Sequence, residues 1–261
     1  MFQSHLLKQN WDKSLPRYWN DNSPFKTHFL NALSITLPEC EKFFIETVRH
    51  HVKDISDPVL LAEVKEFVKQ ESHHRNAHSH YNNWLEENGL PVSPLQESSD
   101  SMWNFVRRFL NKNLWLALTI CVEHITVVYA SVFLAHREIL ENMHPQFEQI
   151  WRWHAVEELE HKAVAMDVWH ATVNNNFLKN LAMMFVLPTY MWYVGKNTIV
   201  FLHADGELWK WRTWKDMIYF LFNFGTGLLT KSFIPWLEFL HNDFHPNKQD
   251  HSDLLLSYNK I

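Results

Sequence analysis

Four helical stripes, each apolar but for a carboxylate near its middle, constrain this chain more than any other feature. After Pro58, steps of three and four residues select Val64, Phe67, Glu71, His74, Tyr81 and Leu85, with His78 between His74 and Tyr81. After Pro145 the same steps select Phe147, Trp151, His154, Glu158, His161, Ala165, Val168 and Thr172. Two further stripes run Leu37, Glu41, Phe44, Val48, His51 and Leu116, Ile120, Glu123, Val127, Ala130, Leu134. Such faces are built for burial, and burying an ionised carboxylate costs several kcal/mol unless positive charge compensates. No Lys or Arg lies on these stripes. Metal ions would serve.

One Glu from each of two helices and Glu-x-x-His from each of two others is the donor inventory of a dinuclear site inside a four-helix bundle. The set is Glu41, Glu71 with His74, Glu123, and Glu158 with His161. The expected fold is all-α: a ferritin-like four-helix bundle with an additional aromatic-rich helical C-terminal region. A single domain is expected, with the metal-binding core at about 31–175, a helical cap at about 176–245 and a polar tail at 246–261.

Local signals divide the chain further. A polar arm runs to about residue 30, and Pro38 opens a helix that reaches about Lys53, with Glu39 and Glu41 in its first turn. Asp57-Pro58 starts the second helix and Gly89 ends it; residues 90–100 read as a loop. Helix resumes over 101–141 with a break near Asn111, and again from Pro145 to the asparagines at 174–176. Apolar helices follow over 177–204, 208–230 and 235–241. With a turn near residue 55, Glu41 and Glu71 lie at one height. With a turn near 141–144, Glu123 and Glu158 are mismatched by roughly 6 Å.

Neighbouring residues compete for roles. His78 and His154 are candidates for an additional ligand or for a supporting partner. Glu157 competes with Glu158, and Glu39, a first-turn acid beside Glu41, is a further candidate to reach the site, whereas His73, His80 and His124 fall beside the stripes. Glu-x-x-His recurs at Glu141–His144, beside a turn, and at Glu238–His241, just after Pro235 and preceded by Glu207; these contexts suit helix ends better than a site. No catalytic residue beyond the ligands stands out.

Composition excludes several classes. Five glycines and no G-x-G-x-x-G or P-loop pattern leave no phosphate cradle. Cys40 and Cys121 form no C-x-x-C pair, and a net charge of -5 with scattered basic residues leaves no nucleic-acid footprint. The N-terminal residues are too polar for a signal peptide, so a cytoplasmic location is expected. Residues 114–135 carry one formal charge, Glu123, and read as a buried core helix. The uncharged stretch 181–195, with Phe185, Tyr190, Trp192 and Tyr193, suits a cap or a contact with a membrane surface.

The segments PECEKFFIETVRHH, EFVKQESHHRNAHSHYN, CVEHIT, WRWHAVEELEHKAVAMDVW and DFHP resemble the predicted metal-dependent hydrolases, helical proteins related in ligand pattern to ferritin-like dimetal-carboxylate proteins. The resemblance covers about residues 30–250. It implies Glu41, Glu71, His74, Glu123, Glu158 and His161 as metal ligands. Cys40 stands where the resemblance leads one to expect a small residue such as glycine.

An oxygen and nitrogen donor set without thiolate suits iron, with manganese as a substitute, or zinc for hydrolysis. The functional expectation is oxygen-dependent oxidation, hydroxylation or desaturation of a small apolar or lipid-like substrate, with an electron donor protein as partner. The alternative is a hydrolase with a metal-activated water, as the family's name implies. A second alternative is metal binding without turnover.

Overall fold

The computed structural model describes residues 7, 11–12, 14–140 and 142–258. Among these the regular structure is helical; the one pairing outside helices is an isolated bridge between Asn20 and Met143. Helices α1 (Pro24–His51), α2 (Pro58–Glu87), α4 (Lys112–Ala135) and α5 (Pro145–His161) carry the four stripes. α1 packs on α2 and α4 on α5, while contacts of α1 with α4 and of α2 with α5 close the group. α3 (Val92–Phe109) lies against α1 and α2. α6 (Val164–Thr172) follows α5, and α7 (Asn176–Ala204) covers α1 and α4. α8 (Trp211–Phe222), α9 (Leu228–Glu238) and α10 (Ser252–Tyr258) complete the chain.

Several boundaries differ from the sequence expectations, each for a physical reason. α1 begins at Pro24 rather than Pro38. Ser23 accepts a hydrogen bond from the Lys26 N–H, Pro24 takes the tolerant first position, and the segment from Thr27 to Leu37 is buried throughout, so it is core rather than polar arm. Glu39 and Glu41 are therefore mid-helix. Pro38 sits inside the helix, where it cannot donate to the Ser34 carbonyl four residues back. The Asn82 side chain donates to that carbonyl instead, at 2.9 Å.

The expected loop at 90–100 is the first half of α3. Val92, Leu95, Ser99, Trp103 and Val106 make a buried stripe at helical spacing that outweighs the polar residues between them. α4 ends at Ala135, not near residue 141, which removes the expected height mismatch. Glu123 lies twelve residues before the end of α4 and Glu158 thirteen after the start of α5. The helix after Pro145 breaks at Lys162–Ala163, just past His161. Pro235 lies inside α9 rather than opening it. The expected polar tail contains α10, whose Leu254 and Leu255 pack on Val127, Ala130, Leu134, Ala155 and Leu159.

At one end of the helix group the core is aromatic: Trp19 stacks on Phe147 with ring centres 4.3 Å apart, and Tyr81 and Trp84 meet Phe147 edge-on. α4 is the one described helix long and apolar enough to cross a membrane, and 83% of its apolar window is buried against the other helices.

Candidate metal centre

Glu41 of α1, Glu71 and His74 of α2, Glu123 of α4, and Glu158 and His161 of α5 are all buried and converge between the helices. Donor atoms of Glu71, Glu123 and His161 lie within 4.8 Å of one another, as do those of Glu71, His74 and Glu158. A third such group joins Glu41, His74 and His154. Glu71 and Glu158 therefore stand in the middle, Glu41, His74 and His154 at one end, Glu123 and His161 at the other.

Hydrogen bonds around the cluster set the proton of each imidazole. Asn82 commits its Nδ2 to the Ser34 carbonyl, so its Oδ1 accepts the Ser34 hydroxyl proton at 2.7 Å. Ser34 Oγ must then accept from His78 Nδ1–H at 2.9 Å, and His78 Nε2 accepts from His154 Nδ1–H at 2.8 Å. His154 is left with a lone pair on Nε2, aimed at Glu158 Oε1 3.0 Å away.

The other two rings follow the same logic. His161 Nδ1–H donates to Gln70 Oε1 at 3.0 Å, since the Gln70 amide nitrogen donates to Glu160. That leaves His161 Nε2 bare, 3.2 Å from Glu71 Oε1 and 3.7 Å from both Glu123 and Glu158. His74 Nε2–H donates to Glu157 at 3.1 Å, turning a bare Nδ1 to Glu71 and Glu158 at 3.7 Å. Three nitrogen lone pairs thus face carboxyl oxygens, an arrangement that repels unless protons or cations lie between them.

The carboxylates tell the same story. Both oxygens of Glu41, Glu71 and Glu123 are buried without a hydrogen bond among the described residues. Burial, with repulsion from Glu71 and Glu158, pushes the Glu41 carboxyl well above its usual range, and burial with repulsion from Glu71 does the same to Glu123. Burial pushes Glu71 up to about 8. The residues fit a pair of divalent ions, which would supply the missing positive charge and occupy every bare donor.

Other candidates fall outside the cluster. Glu39 turns away to Arg107 and Lys42, at 2.8 and 3.0 Å, because its position on α1 faces α3 rather than the helix interior. Glu157 holds His74 from behind and accepts from Trp153 Nε1 at 3.1 Å. His78 touches no carboxylate and orients His154. His124 is buried on the far side of α4, where Nε2 donates to the Pro235 carbonyl. Glu238 pairs with Gln249 and Glu207 with Lys210, both outside the buried cluster, and Glu141 lies outside the described residues. Sequence reasoning missed Ser34, Gln70 and Asn82. They are uncharged polar residues on buried faces, and only their partners reveal their role; Thr126, which donates to Glu158 Oε2 at 2.8 Å, belongs with them.

A family model described as predicted metal-dependent hydrolase matches residues 4–250. No curated protein and no solved structure matches the chain.

Proposed function

The chain belongs to the predicted metal-dependent hydrolase family, and from that premise we propose that its helices form a ferritin-like bundle holding two metal ions for catalysis. The observation that carries this reading is the pair of unpartnered histidine nitrogens, His74 Nδ1 and His161 Nε2, set among Glu41, Glu71 and Glu123, whose carboxyl oxygens are likewise buried without a partner. Glu41, Glu71, His74, His154 and Glu158 would hold one ion and Glu71, Glu123 and His161 the other. Such a pair supplies Lewis acidity toward a bound water and, where the ions are redox-active, electrons for dioxygen.

Hydrolysis is the chemistry that the family description supports. In that reading the chain orients the ester or related bond against the cluster and excludes bulk water, and Glu41, whose oxygens accept no hydrogen bond, serves as a donor to a metal ion. Thr126 keeps Glu158 in place through its 2.8 Å hydrogen bond.

One observation favours the oxidative reading as a second. A small chamber beside His154 and Glu158 is walled by Leu33, Leu37, Tyr129, Phe133 and other apolar groups, with no Lys or Arg to receive an anionic product. That suits an uncharged C–H substrate. With metal-loaded protein, hydrolysis of alkanoate esters that proceeds equally without oxygen supports the hydrolase. Oxygen uptake that depends on an apolar substrate and a reductant supports the oxidase, and neither activity under any loading with iron, manganese or zinc removes both.

A further inference from the structure

A cavity of about 330 Å³ lies between α1, α3, α4 and α7, in the size range of small-molecule sites. Its floor is Cys40, the residue before Glu41, and Tyr190. Val122, next in sequence to Glu123, and Val186 form walls. Tyr190 is also a wall of the chamber of about 30 Å³ that touches His154 and Glu158, so one buried side chain separates the larger space from the metal cluster.

The lining decides the class of ligand. No charged side chain borders the cavity, and a polar group seated there would lose water with few partners to replace it. A water molecule takes about 30 Å³ of liquid and a methylene group is of similar size, so the space holds a chain of roughly ten carbons. The rim is apolar as well: Phe105 and Phe185 are 59% and 66% exposed. Phe185 belongs to a row on α7, with Phe177, Leu181, Met184, Trp192 and Ile199, all exposed and all on one side of the helix over roughly 33 Å.

We infer that this cavity binds one linear alkyl chain, which enters between Phe105 and Phe185 and presents its end to the metal cluster past Tyr190. The inference rests on the proposed metal chemistry only for what happens at the chain's end. Chain binding itself needs neither metal nor turnover. The chain is either a free alkyl compound or the tail of a membrane lipid, and the exposed row on α7 gives a lipid tail a continuous apolar path to the rim.

The test is calorimetric titration of the intact protein with 1-decanol, which has no carboxylate to bind metal, before and after chelation, with metal content measured on the same samples. Saturable binding in both states is expected. Val186→Trp, which fills the cavity, should weaken it about tenfold or more. Thr189→Trp obstructs the cavity from an exposed position and does the same without disturbing the core. Co-sedimentation with phosphatidylcholine–phosphatidylglycerol vesicles that is reduced by Phe185→Glu identifies the source as a membrane lipid; decanol binding without vesicle association identifies a free compound. Absence of saturable binding, or binding unchanged in both Trp variants, overturns the inference even where two metals are found. Decanol binding to a protein that takes up no metal sustains the inference and defeats the metal reading instead.

Discussion

Asn82 donates from Nδ2 to the Ser34 carbonyl at 2.9 Å, and that carbonyl is the one Pro38 leaves without its partner in α1. A helix defect thereby becomes the fixed end of a relay. The anchored amide dictates the Ser34 hydroxyl, the hydroxyl dictates His78, and His78 dictates which nitrogen of His154 faces Glu158. An imidazole whose tautomer is fixed in advance binds metal without having to reorganise.

Asn82→Leu should cut this relay at its origin. Metal affinity is expected to fall by about 10–100-fold, the usual cost of losing a partner behind a ligand. Competition against a calibrated chelator reads it directly, and unchanged affinity would show that the relay does not set His154.

His154→Ala removes one of the two imidazoles at the end of the site that also holds Glu41. The variant should retain the ion held by Glu123 and His161 and lose or weaken the other, visible as biphasic titration with a divalent metal. Loss of both ions together would mean that the two positions do not load separately.

The stripes themselves were legible because burial forces a helix to repeat its apolar residues at steps of three and four, and a carboxylate on such a face is conspicuous. All six expected donors come together, and the break near Asn111 is where Asn111 caps α4. The start of α1 was not legible. Pro38 carries a strong local signal for a helix start, and only the Asn82 side chain, distant in sequence, satisfies the carbonyl that the proline frees. Glu39 and Glu41 differ by two residues, about 200° around a helix, so a helix that runs through both must send one inward and the other toward Arg107. The supporting residues Ser34 and Gln70 have no signal in one sequence, because their role is defined by partners on another helix.

Removal of metal should make stability depend on pH. Folding raises the Glu71 carboxyl from an ordinary 4.5 to about 8, and raises Glu41 and Glu123 as well, chiefly through burial. Between those values these carboxyls hold more protons in the folded than in the unfolded state, so the stability they contribute is full below about pH 4.5 and the share of Glu71 is lost as the pH rises through 8, whereas His78 and His154, held neutral by burial, act in the opposite sense below about pH 6.5. The Tm of chelated protein should therefore fall by several degrees, about 5 °C, between about pH 6.5 and 8, where only the carboxyls titrate. Metal-loaded protein should show little of this slope, and equal slopes in the two forms would contradict the buried carboxylate account.

Phe147→Ala tests the aromatic end of the core. Phe147 is fully buried and stacks on Trp19, with Tyr81 and Trp84 against its edges. Truncation should cost about 3–5 kcal/mol in denaturant unfolding. A loss below about 1 kcal/mol would mean that this cluster collapses around the gap.

The most direct test of the dinuclear site is the metal content of the purified protein after loading with iron, manganese or zinc, measured per chain beside Glu123→Ala. Two ions per chain are expected in the native protein and at most one in the variant. Two ions retained in Glu123→Ala, or none bound by the native protein under any loading, would contradict the account.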